Sequence, residues 1–457
     1  MKILTSEVVF PGHPDKICDQ ISEAILDECL RQDIDSRVAV EVMIKDNLIV
    51  IGGEITTKAK INYKKVVAKV LKHIGLKEKF KVLVKVSKQS SDIAQGVDLP
   101  SVNGAYLGAG DQGIVYGYAN SEGDNLPLPY RYAKEIAWSM IELQHDLPDI
   151  FGVDGKCQVS IKYDDNNKPV HITTIVVSQQ TRKGIKREAY YPIIKQAILR
   201  LFECIDLLDE DTRILINPTG KFEVGGSYAD CGVTGRKIAC DLYGGLGRTQ
   251  GGNLNGKDLS KVDKLGAYFT RLVALAFVQA ELAKECEVQV AYAIGEDAPV
   301  AVYVTSLNTG VYSDDVLTQA AKAFFDFTPI CMKNTLFPDD SLKNRVSDTL
   351  NEVGYFEYFA AHGHTGFGTP GDYAIRYMSL GKLVEITKVI AGDSINSAYD
   401  DIKCEDWGTP MISPDIDSVH MPTLTCDDLP YVESKGRGRP KGSKDSKKRK
   451  SRKKTTK

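Results

Sequence analysis

The chain has 457 residues, of which 42% are hydrophobic and 26% charged, and this length and composition predict a globular protein of several domains. No apolar run approaches the roughly 20 residues that cross a bilayer, so composition excludes a transmembrane protein, a collagen and a wholly disordered chain. The net charge of −3 is unevenly distributed: residues 434–457 hold 13 Lys or Arg and one Asp, so an acidic body precedes a basic tail.

Cysteine usage and the first residues bear on the cellular compartment. The ten cysteines are scattered without a C-x-x-C pair, and residues 1–10 lack the apolar segment of a secretion signal. We therefore expect reduced thiols in a cytoplasmic protein. The basic tail adds a second expectation, that the protein enters the nucleus or associates with DNA.

The first hundred residues follow the order β-α-β-β-α-β. Strand patterns cover residues 2–9, 38–45, 48–55 and 80–86, and residues 38–45 alternate apolar and polar side chains as a half-buried strand does. Helical spacing of apolar residues covers 14–30 and 63–74, with Gly75 as a C-cap.

The same order recurs twice downstream. The second copy comprises strands at 114–119, 157–163, 170–178 and 213–216 and helices at 130–143 and 188–202. The third comprises strands at 237–243, 287–294 and 300–306 and helices at 262–284 and 314–325. We predict an α+β fold of three similar units over residues 1–100, 101–225 and 226–375, each a mostly antiparallel sheet covered by helices on one side. The uncovered sheet faces predict a homodimer that packs sheet against sheet.

The remaining residues lack this pattern. Residues 376–433 are acidic and rich in Asp, Ser, Thr and Pro, and we interpret them as a linker or extension. Residues 434–457 form the basic tail, which we expect to be disordered.

Two glycine-rich segments resemble nucleotide-binding motifs. Gly108 to Gly113 matches G-x-G-x-x-G, but a strand follows it where a dinucleotide-binding fold needs a helix. Gly251 to Lys257 matches G-x-x-x-x-G-K, but Asp258 stands where a P-loop needs Ser or Thr. The second segment still predicts phosphate binding, since glycines let backbone N–H groups converge on anions.

Three polar clusters add charge that suits a polyanion. They are His13 to Lys16 at a helix start, Asp230 with Arg236 and Lys237, and the loop from Lys88 to Gly96. Each alone also fits caps, turns and solvated charges. Together they supply cations and carboxylates for a polyanionic ligand bridged by Mg²⁺.

Longer stretches carry a family resemblance. GHPDKICDQISEAILD, GGEITT, KQSSDIAQGV, GAGDQGIVYGYA, INPTGKFEVGG, DCGVTGRKI, GKDLSKVD and YAIG occur in this order over residues 1–330. The chain thereby resembles the S-adenosylmethionine synthetase (methionine adenosyltransferase) family. The resemblance implies three units around a pseudo-threefold axis and a dimer, or a dimer of dimers, with active sites at the interface. It also implies that methionine sulfur attacks C5′ of ATP in line, and that the tripolyphosphate is then hydrolysed to pyrophosphate and phosphate.

The resemblance also implies roles for individual residues. His13 would contact the leaving oxygen, Asp15 and Asp263 would each hold a Mg²⁺, and Glu41 would ligate an activating K⁺. The polyphosphate would be bound by Lys156, Arg236, Lys237, Lys257 and Lys261. Further ATP contacts would come from Asp111, Asp154, Asp230 and Phe222, the last stacked on adenine. Methionine would meet Glu54, Gln89 and Asp230, and residues 89–97 would close over the site.

The chain departs from the family in three places. Lys221 replaces an Arg before the adenine-stacking Phe, which keeps the charge but loses the bidentate fork. Thr249-Gln-Gly-Gly-Asn-Leu-Asn-Gly-Lys-Asp258 stands where the family reads HGGGAFSGKD, a change that bears on tripolyphosphate hydrolysis more than on adenosyl transfer. The family's ending is also altered, and residues 376–457 have no counterpart.

The tail resembles an AT-hook. Arg437-Gly-Arg439-Pro-Lys441 would lie in the narrow minor groove of A·T tracts, and residues 447–454 would add phosphate contacts or a nuclear import signal. The alternative is a solvated basic tail that binds polyanions without preference.

The leading hypothesis is an active methionine adenosyltransferase tethered to DNA or sent to the nucleus by its tail. One rival is a regulatory or DNA-binding protein on the same fold, with impaired catalysis. A second rival uses a methionine analogue or releases tripolyphosphate unhydrolysed.

Overall fold

The computed structural model describes residues 1–90, 108–336 and 378–392. The strands are β1 (Lys2–Val9), β2 (Arg37–Lys45), β3 (Leu48–Thr56), β4 (Lys81–Ser87), β5 (Gly113–Asn120), β6 (Phe151–Tyr163), β7 (Pro169–Thr181), β8 (Arg213–Ile216), β9 (Gly232–Val233), β10 (Glu285–Tyr292) and β11 (Ala301–Thr305). The helices are α1 (Pro14–Gln32), α2 (Tyr63–Ile74), α3 (Leu128–Asp146), α4 (Arg187–Leu201), α5 (Ile238–Leu242), α6 (Val262–Gln279), α7 (Asp314–Phe324), α8 (Pro329–Leu336) and α9 (Leu380–Ala391).

The strands form two mixed sheets and one antiparallel sheet, and the predicted α+β class is confirmed. The first sheet has the order β4-β3-β2-β9, the second β1-β6-β7-β8 and the third β11-β10-β5. Only the pairs β3–β4 and β7–β8 are parallel among the described strands.

Sheet membership does not follow the three predicted units. The strand that opens the first unit, β1, pairs with β6 of the second sheet, and β5 pairs with β10 of the third. The short strand β9 pairs with β2 of the first sheet. An alternating pattern indicates which face of a strand is buried but not which edge it pairs with, so the sequence could not reveal this exchange.

Capping residues account for the two helices that cover the first sheet. Pro14 occupies the first turn of α1, where its missing N–H costs nothing, and the His13 side chain accepts a hydrogen bond from the backbone N–H of Asp15 (3.2 Å). In α2, the Asn62 side chain accepts from the Lys65 N–H (3.1 Å), and Gly75 ends the helix with φ 90°. α1 and α2 bury Ile, Val and Leu side chains against β2 and β3.

A larger core joins the second and third sheets. Within this core, helix α6 packs on β5 and β10 of the third sheet. It is apolar around most of its circumference, as expected of a helix buried on several sides. Gly117 of β5 packs directly against the α6 backbone at Thr270, where no side chain would fit.

Two predicted elements differ from those observed. Residues 237–243 were predicted as a strand but contain the helix α5. The strand that pairs with the edge of β2 here is β9, and the turn of α5 buries Asp241 beside Lys16. Within the predicted acidic extension, α9 is an ordered helix that packs against α7 and buries Leu383 and Ile386. The rest of that extension and the basic tail lie outside the described residues.

Candidate active site

The edge of β2 organises two loops that carry most of the predicted phosphate-binding residues. Residues 232–234 lie along it, with the Thr234 N–H donating to the Val42 carbonyl (3.0 Å). Residues 256–258 lie further along the same edge, where the Val40 N–H donates to the Gly256 carbonyl (3.1 Å). Loops far apart in the chain are thereby held side by side on one strand.

The first loop brings two cations to Asp15, at the N-terminus of α1. Lys237 Nζ lies 2.5 Å from Asp15 Oδ2, and Arg236 Nη1 lies 3.5 Å from Oδ1. The Val233 N–H also donates to Oδ1 (3.0 Å). Asp15 is buried, whereas Arg236 is half exposed and Lys237 partly so. The cations therefore form the accessible side of this cluster.

His13 belongs to the same cluster and is neutral at physiological pH. Burial lowers the pKa of His13 to about 4, with further lowering by Lys237 and Lys156 and opposing effects of Asp15 and Asp230. Its Nδ1 accepts a hydrogen bond from the Asp15 N–H, so the ring proton resides on Nε2. The side chain is therefore a neutral hydrogen-bond donor among cations.

Asp154 and Lys156 reach this cluster from β6. The Gly226 N–H donates to Asp154 Oδ2 (2.6 Å), and burial raises the pKa of Asp154 to about 6. Lys156 is half exposed, with its Nζ 3.9 Å from Glu7 Oε2, and is available to an anion. Asp230 is exposed on the neighbouring loop and close enough to influence the pKa values of both His13 and Asp154.

We expect the Asp154→Asn variant to flatten the pH dependence of stability between about pH 4 and pH 6. The folded-state pKa of Asp154 is raised to about 6 from an ordinary 3.8, so the folded chain keeps this proton longer than the unfolded chain. Wild-type stability therefore falls as pH rises through this window, by at most ~3 kcal/mol from this group. Unfolding temperatures across the window should show the difference, with exposed Asp165→Asn as the matched control. Equal pH slopes in Asp154→Asn and wild type would contradict the assignment.

The second loop places Lys257 beside Asp263. Lys257 Nζ lies 2.6 Å from Asp263 Oδ2, and the Gln250 side-chain amide donates to the Asp263 carbonyl (2.9 Å). Gly252 packs so closely on the Asp263 carboxylate that a side chain there would collide with it. Gly113 also lies next to the Asp263 carboxylate, so the loop that carries the exposed Asp111 is close to this cluster.

Lys261, predicted to bind polyphosphate, is paired with a carboxylate, as Lys237 and Lys257 are. Its Nζ lies 3.2 Å from Oδ2 of buried Asp258, and the lysine side chain is largely buried. The same Asp258 oxygen accepts from the Val38 N–H (2.7 Å). In this arrangement Lys261 anchors its loop to β2.

Glu41 lies between the two loops and contacts both. Its Oε2 accepts a hydrogen bond from the Thr234 hydroxyl. The Asn253 amide Nδ2 lies 3.3 Å from Oε1 and 3.2 Å from Oε2. The carboxylate therefore connects the end of β9 to the glycine-rich loop of residues 249–258, called the altered glycine loop below.

The residues predicted to contact methionine and adenine lie around these clusters. Glu54 is exposed and is paired in register with Ser87, and Gln89 follows two residues later with its N–H donating to the Thr56 hydroxyl (3.3 Å). Phe222 is partly buried, and its carbonyl accepts from the Thr181 N–H (2.8 Å). Residues 91–97 of the predicted closing loop, and Arg437, Arg439 and Lys441 of the tail, lie outside the described residues.

Sequence reasoning missed the buried ion pairs beneath the site. Lys16 lies 2.7 Å from Asp241 and 3.4 Å from Asp19, whose carboxylate accepts from the Gly235 N–H (3.0 Å). A second pair joins Lys264 to Glu23 (2.7 Å), which accepts from the Gly256 N–H (3.1 Å). One feature of the sequence could have indicated these pairs. Charged residues alternate with Ile and Cys around the whole circumference of α1, so the helix has no purely polar face that could point to solvent.

The carboxylates differ in their fit to the implied ions. Asp15 and Asp263 offer carboxylate oxygens, and Mg²⁺ is usually bound by one or two carboxylates together with substrate phosphates. Within residues 1–90, 108–336 and 378–392, no group of three or more His, Cys, Asp or Glu is placed so that it could hold a metal ion. Glu41 does not fit K⁺ equally well, because a hydrogen-bond donor already lies between its two oxygens.

The fold and these clusters define an α+β protein whose paired loops present cations to a polyanion. Models of the S-adenosylmethionine synthetase N-terminal, central and C-terminal domains match residues 1–95, 106–222 and 224–366. The chain belongs to the S-adenosylmethionine synthetase family, which is known to use Mg²⁺ and K⁺, and its full set of domains supports methionine adenosyltransferase activity. None of the described helices is long and apolar enough to cross a membrane.

Proposed function

We propose that the chain converts ATP, L-methionine and water into S-adenosylmethionine, phosphate and pyrophosphate. The observation that carries the proposal is the pair of lysine–carboxylate clusters, Lys237 with Asp15 and Lys257 with Asp263, held along the edge of β2. In each pair the lysine has the greater exposed fraction, so its ammonium group can move to phosphate oxygens.

In the first step the methionine sulfur bonds to C5′ of the ribose. The C5′–O bond breaks, and its electron pair leaves with the tripolyphosphate oxygen. A thioether is a weak nucleophile, so the rate depends on alignment of the substrates and on stabilisation of the leaving charge. Neutral His13 would donate a hydrogen bond to the leaving oxygen.

Cationic side chains would stabilise the charge on the leaving tripolyphosphate. This positive charge would come from Lys156, Arg236, Lys237, Lys257 and Lys261. Lys156 and Arg236 are the most exposed of these side chains, and the other three are each paired with an aspartate. Asp15 and Asp263 would hold Mg²⁺, which supplies further charge neutralisation on the phosphates when bound. Water then cleaves one phosphoanhydride bond of the tripolyphosphate to give pyrophosphate and phosphate.

Recognition of the two substrates would use the surrounding residues. Phe222 would stack on adenine, while Asp111, Asp154 and Asp230 contact ATP. Glu54 and Gln89, at the same end of the first sheet, would meet the charged and polar groups of methionine together with Asp230.

We also propose that the chain forms a homodimer, or a dimer of dimers, through its open sheet faces, and that its three units are related by a pseudo-threefold axis. Met43, Val50 and Leu83 lie side by side across β2, β3 and β4 on the face away from α1 and α2. Met43 is 38% exposed and Leu83 45%, an apolar row that association would remove from water.

The decisive experiment incubates the purified protein with ATP, methionine, Mg²⁺ and K⁺ and quantifies S-adenosylmethionine, phosphate, pyrophosphate and tripolyphosphate. Equal amounts of phosphate and pyrophosphate, each matching S-adenosylmethionine, support the full reaction. Accumulated tripolyphosphate would place a defect in the second step, in line with the altered glycine loop. No S-adenosylmethionine from folded, dimeric protein would favour the regulatory alternative.

We further propose that the basic tail binds A·T-rich DNA, on the basis of its Arg-Gly-Arg-Pro segment. Deleting residues 434–457 is expected to abolish salt-sensitive DNA binding and to leave the synthetase rate unchanged. Arg437→Ala with Arg439→Ala should remove the preference for A·T tracts, because these side chains would occupy the minor groove. Lys447→Ala with Lys448→Ala, the matched control, should weaken binding to all sequences alike. DNA affinity that persists in the truncated protein, measured by fluorescence anisotropy, would contradict the proposal.

A further inference from the structure

We propose that the Asn253 amide takes the monovalent-cation position at Glu41, so that K⁺ does not bind to this carboxylate. A cation held by both oxygens of a carboxylate lies between them. In this chain Nδ2 of Asn253 occupies that place, 3.3 Å from Oε1 and 3.2 Å from Oε2. The functional consequence rests on the proposed adenosyltransferase activity, but the binding claim does not.

The orientation of the amide is fixed by Asn255. The Asn255 N–H donates to Asn253 Oδ1 (2.9 Å), and the Asn255 side-chain amide donates to the same oxygen (3.1 Å). Asn253 Nδ2 donates its second hydrogen to the Asn255 carbonyl (3.0 Å). Because Oδ1 is held by two donors, the nitrogen must face Glu41.

Gly235, whose backbone faces Asn253, leaves room for the Asn253 side chain. Gly235 has φ 73°, and a Cβ built on it would lie 2.7 Å from the Cβ of Asn253. A residue larger than glycine at position 235 would therefore displace Asn253 from the carboxylate. The same glycine donates its N–H to Asp19, which anchors the loop in the buried ion network.

The Asn253 amide can connect Glu41 to the loop as a bound cation would, but it does not neutralise the carboxylate charge. Glu41 contacts Thr234 on one loop and Asn253 on the other, so this carboxylate connects both loops to β2 through hydrogen bonds. Asn253 stands where the resembled glycine loop has alanine, which has no side-chain donor to offer a carboxylate. The altered loop thus brings its own partner for Glu41 and acts as a positioning element.

The test compares K⁺ with choline at equal ionic strength for wild type, Glu41→Gln, Asn253→Ala and the double variant. Thermal unfolding reports binding, and S-adenosylmethionine formation reports function. We expect wild type and Glu41→Gln to respond alike to K⁺. Asn253→Ala should gain a K⁺-specific rise in unfolding temperature of about 1–3 °C and a several-fold K⁺ activation, and the double variant should lose both.

A K⁺-specific response in wild type that Glu41→Gln removes would overturn the inference. This comparison decides the matter even when Asn253→Ala does not fold. Absence of S-adenosylmethionine under all conditions would contradict the proposed function, yet the unfolding temperatures would still report whether K⁺ binds at Glu41. The two failures are therefore distinguishable.

Discussion

Replacing Lys237 by methionine is expected to lower kcat/KM for ATP by about 10²–10³-fold, the usual effect of removing one group that stabilises leaving charge. Lys237 is the closer of the two cations beside Asp15, and the substitution removes both a proposed phosphate contact and a neutralising charge from a buried carboxylate. Methionine keeps most of the side-chain length, so the loop should retain its packing. Arginine at this position should give an intermediate rate, because it keeps the charge but not the geometry.

Steady-state kinetics with varied ATP would measure this effect, with unfolding temperature as the check on folding. Lys195→Met on α4 is the matched control, since Lys195 is exposed and distant in sequence from both loops. A Lys237→Met enzyme as active as Lys195→Met would remove Lys237 from the proposed phosphate site.

Replacing Lys16 by methionine is expected to destabilise the fold by about 3–5 kcal/mol, the usual cost of breaking a buried ion pair on one side. Lys16 is fully buried between Asp241 and Asp19, and its loss removes a counter-charge from two buried carboxylates. Burial already raises the pKa of Asp19 to about 7 despite the opposing effect of Lys16. Without Lys16 the Asp19 carboxyl should bind a proton more readily in the folded state, so the loss of stability should diminish as pH falls.

Arg31→Met provides a matched control on the same helix. Arg31 pairs with Glu28 at 2.7 Å, three residues apart like Lys16 and Asp19. Arg31 is 62% exposed, however, and solvent-exposed pairs contribute little to stability. Urea unfolding followed by circular dichroism and fluorescence would compare the midpoints. Similar shifts in the two variants would show that the buried network does not stabilise the body of the protein.

The local elements were predictable because periodicity and capping act over a few residues. Helix α2 has the predicted bounds, with Asn62 and Gly75 at its ends, and β8 has the predicted bounds as well. α5 was not predictable, because Ile238, Cys240 and Leu242 alternate like a strand while their surroundings favour a helix.

The candidate site was predictable in its residues but not in its assembly. Motifs identified the cations around Asp15 and Asp263, yet the contact between Glu41 and Asn253 joins residues 212 positions apart. Hydrogen bonds of that kind depend on the exchange of strands among sheets. Local pattern carries no information about such partners.

The strand exchange has a consequence for biosynthesis. The first strand to leave the ribosome, β1, has its neighbour in β6, whose partner residues follow 147 (Val9 to Lys156) to 161 (Lys2 to Tyr163) positions later. At ordinary rates of translation this is a delay of roughly 10–30 s. During that time the nascent chain presents an unsatisfied hydrogen-bonding edge, which is a site for mispairing with other chains. No single third of the chain can complete its own sheet, so we expect isolated fragments of the synthetase to aggregate and the body to mature as one cooperative unit.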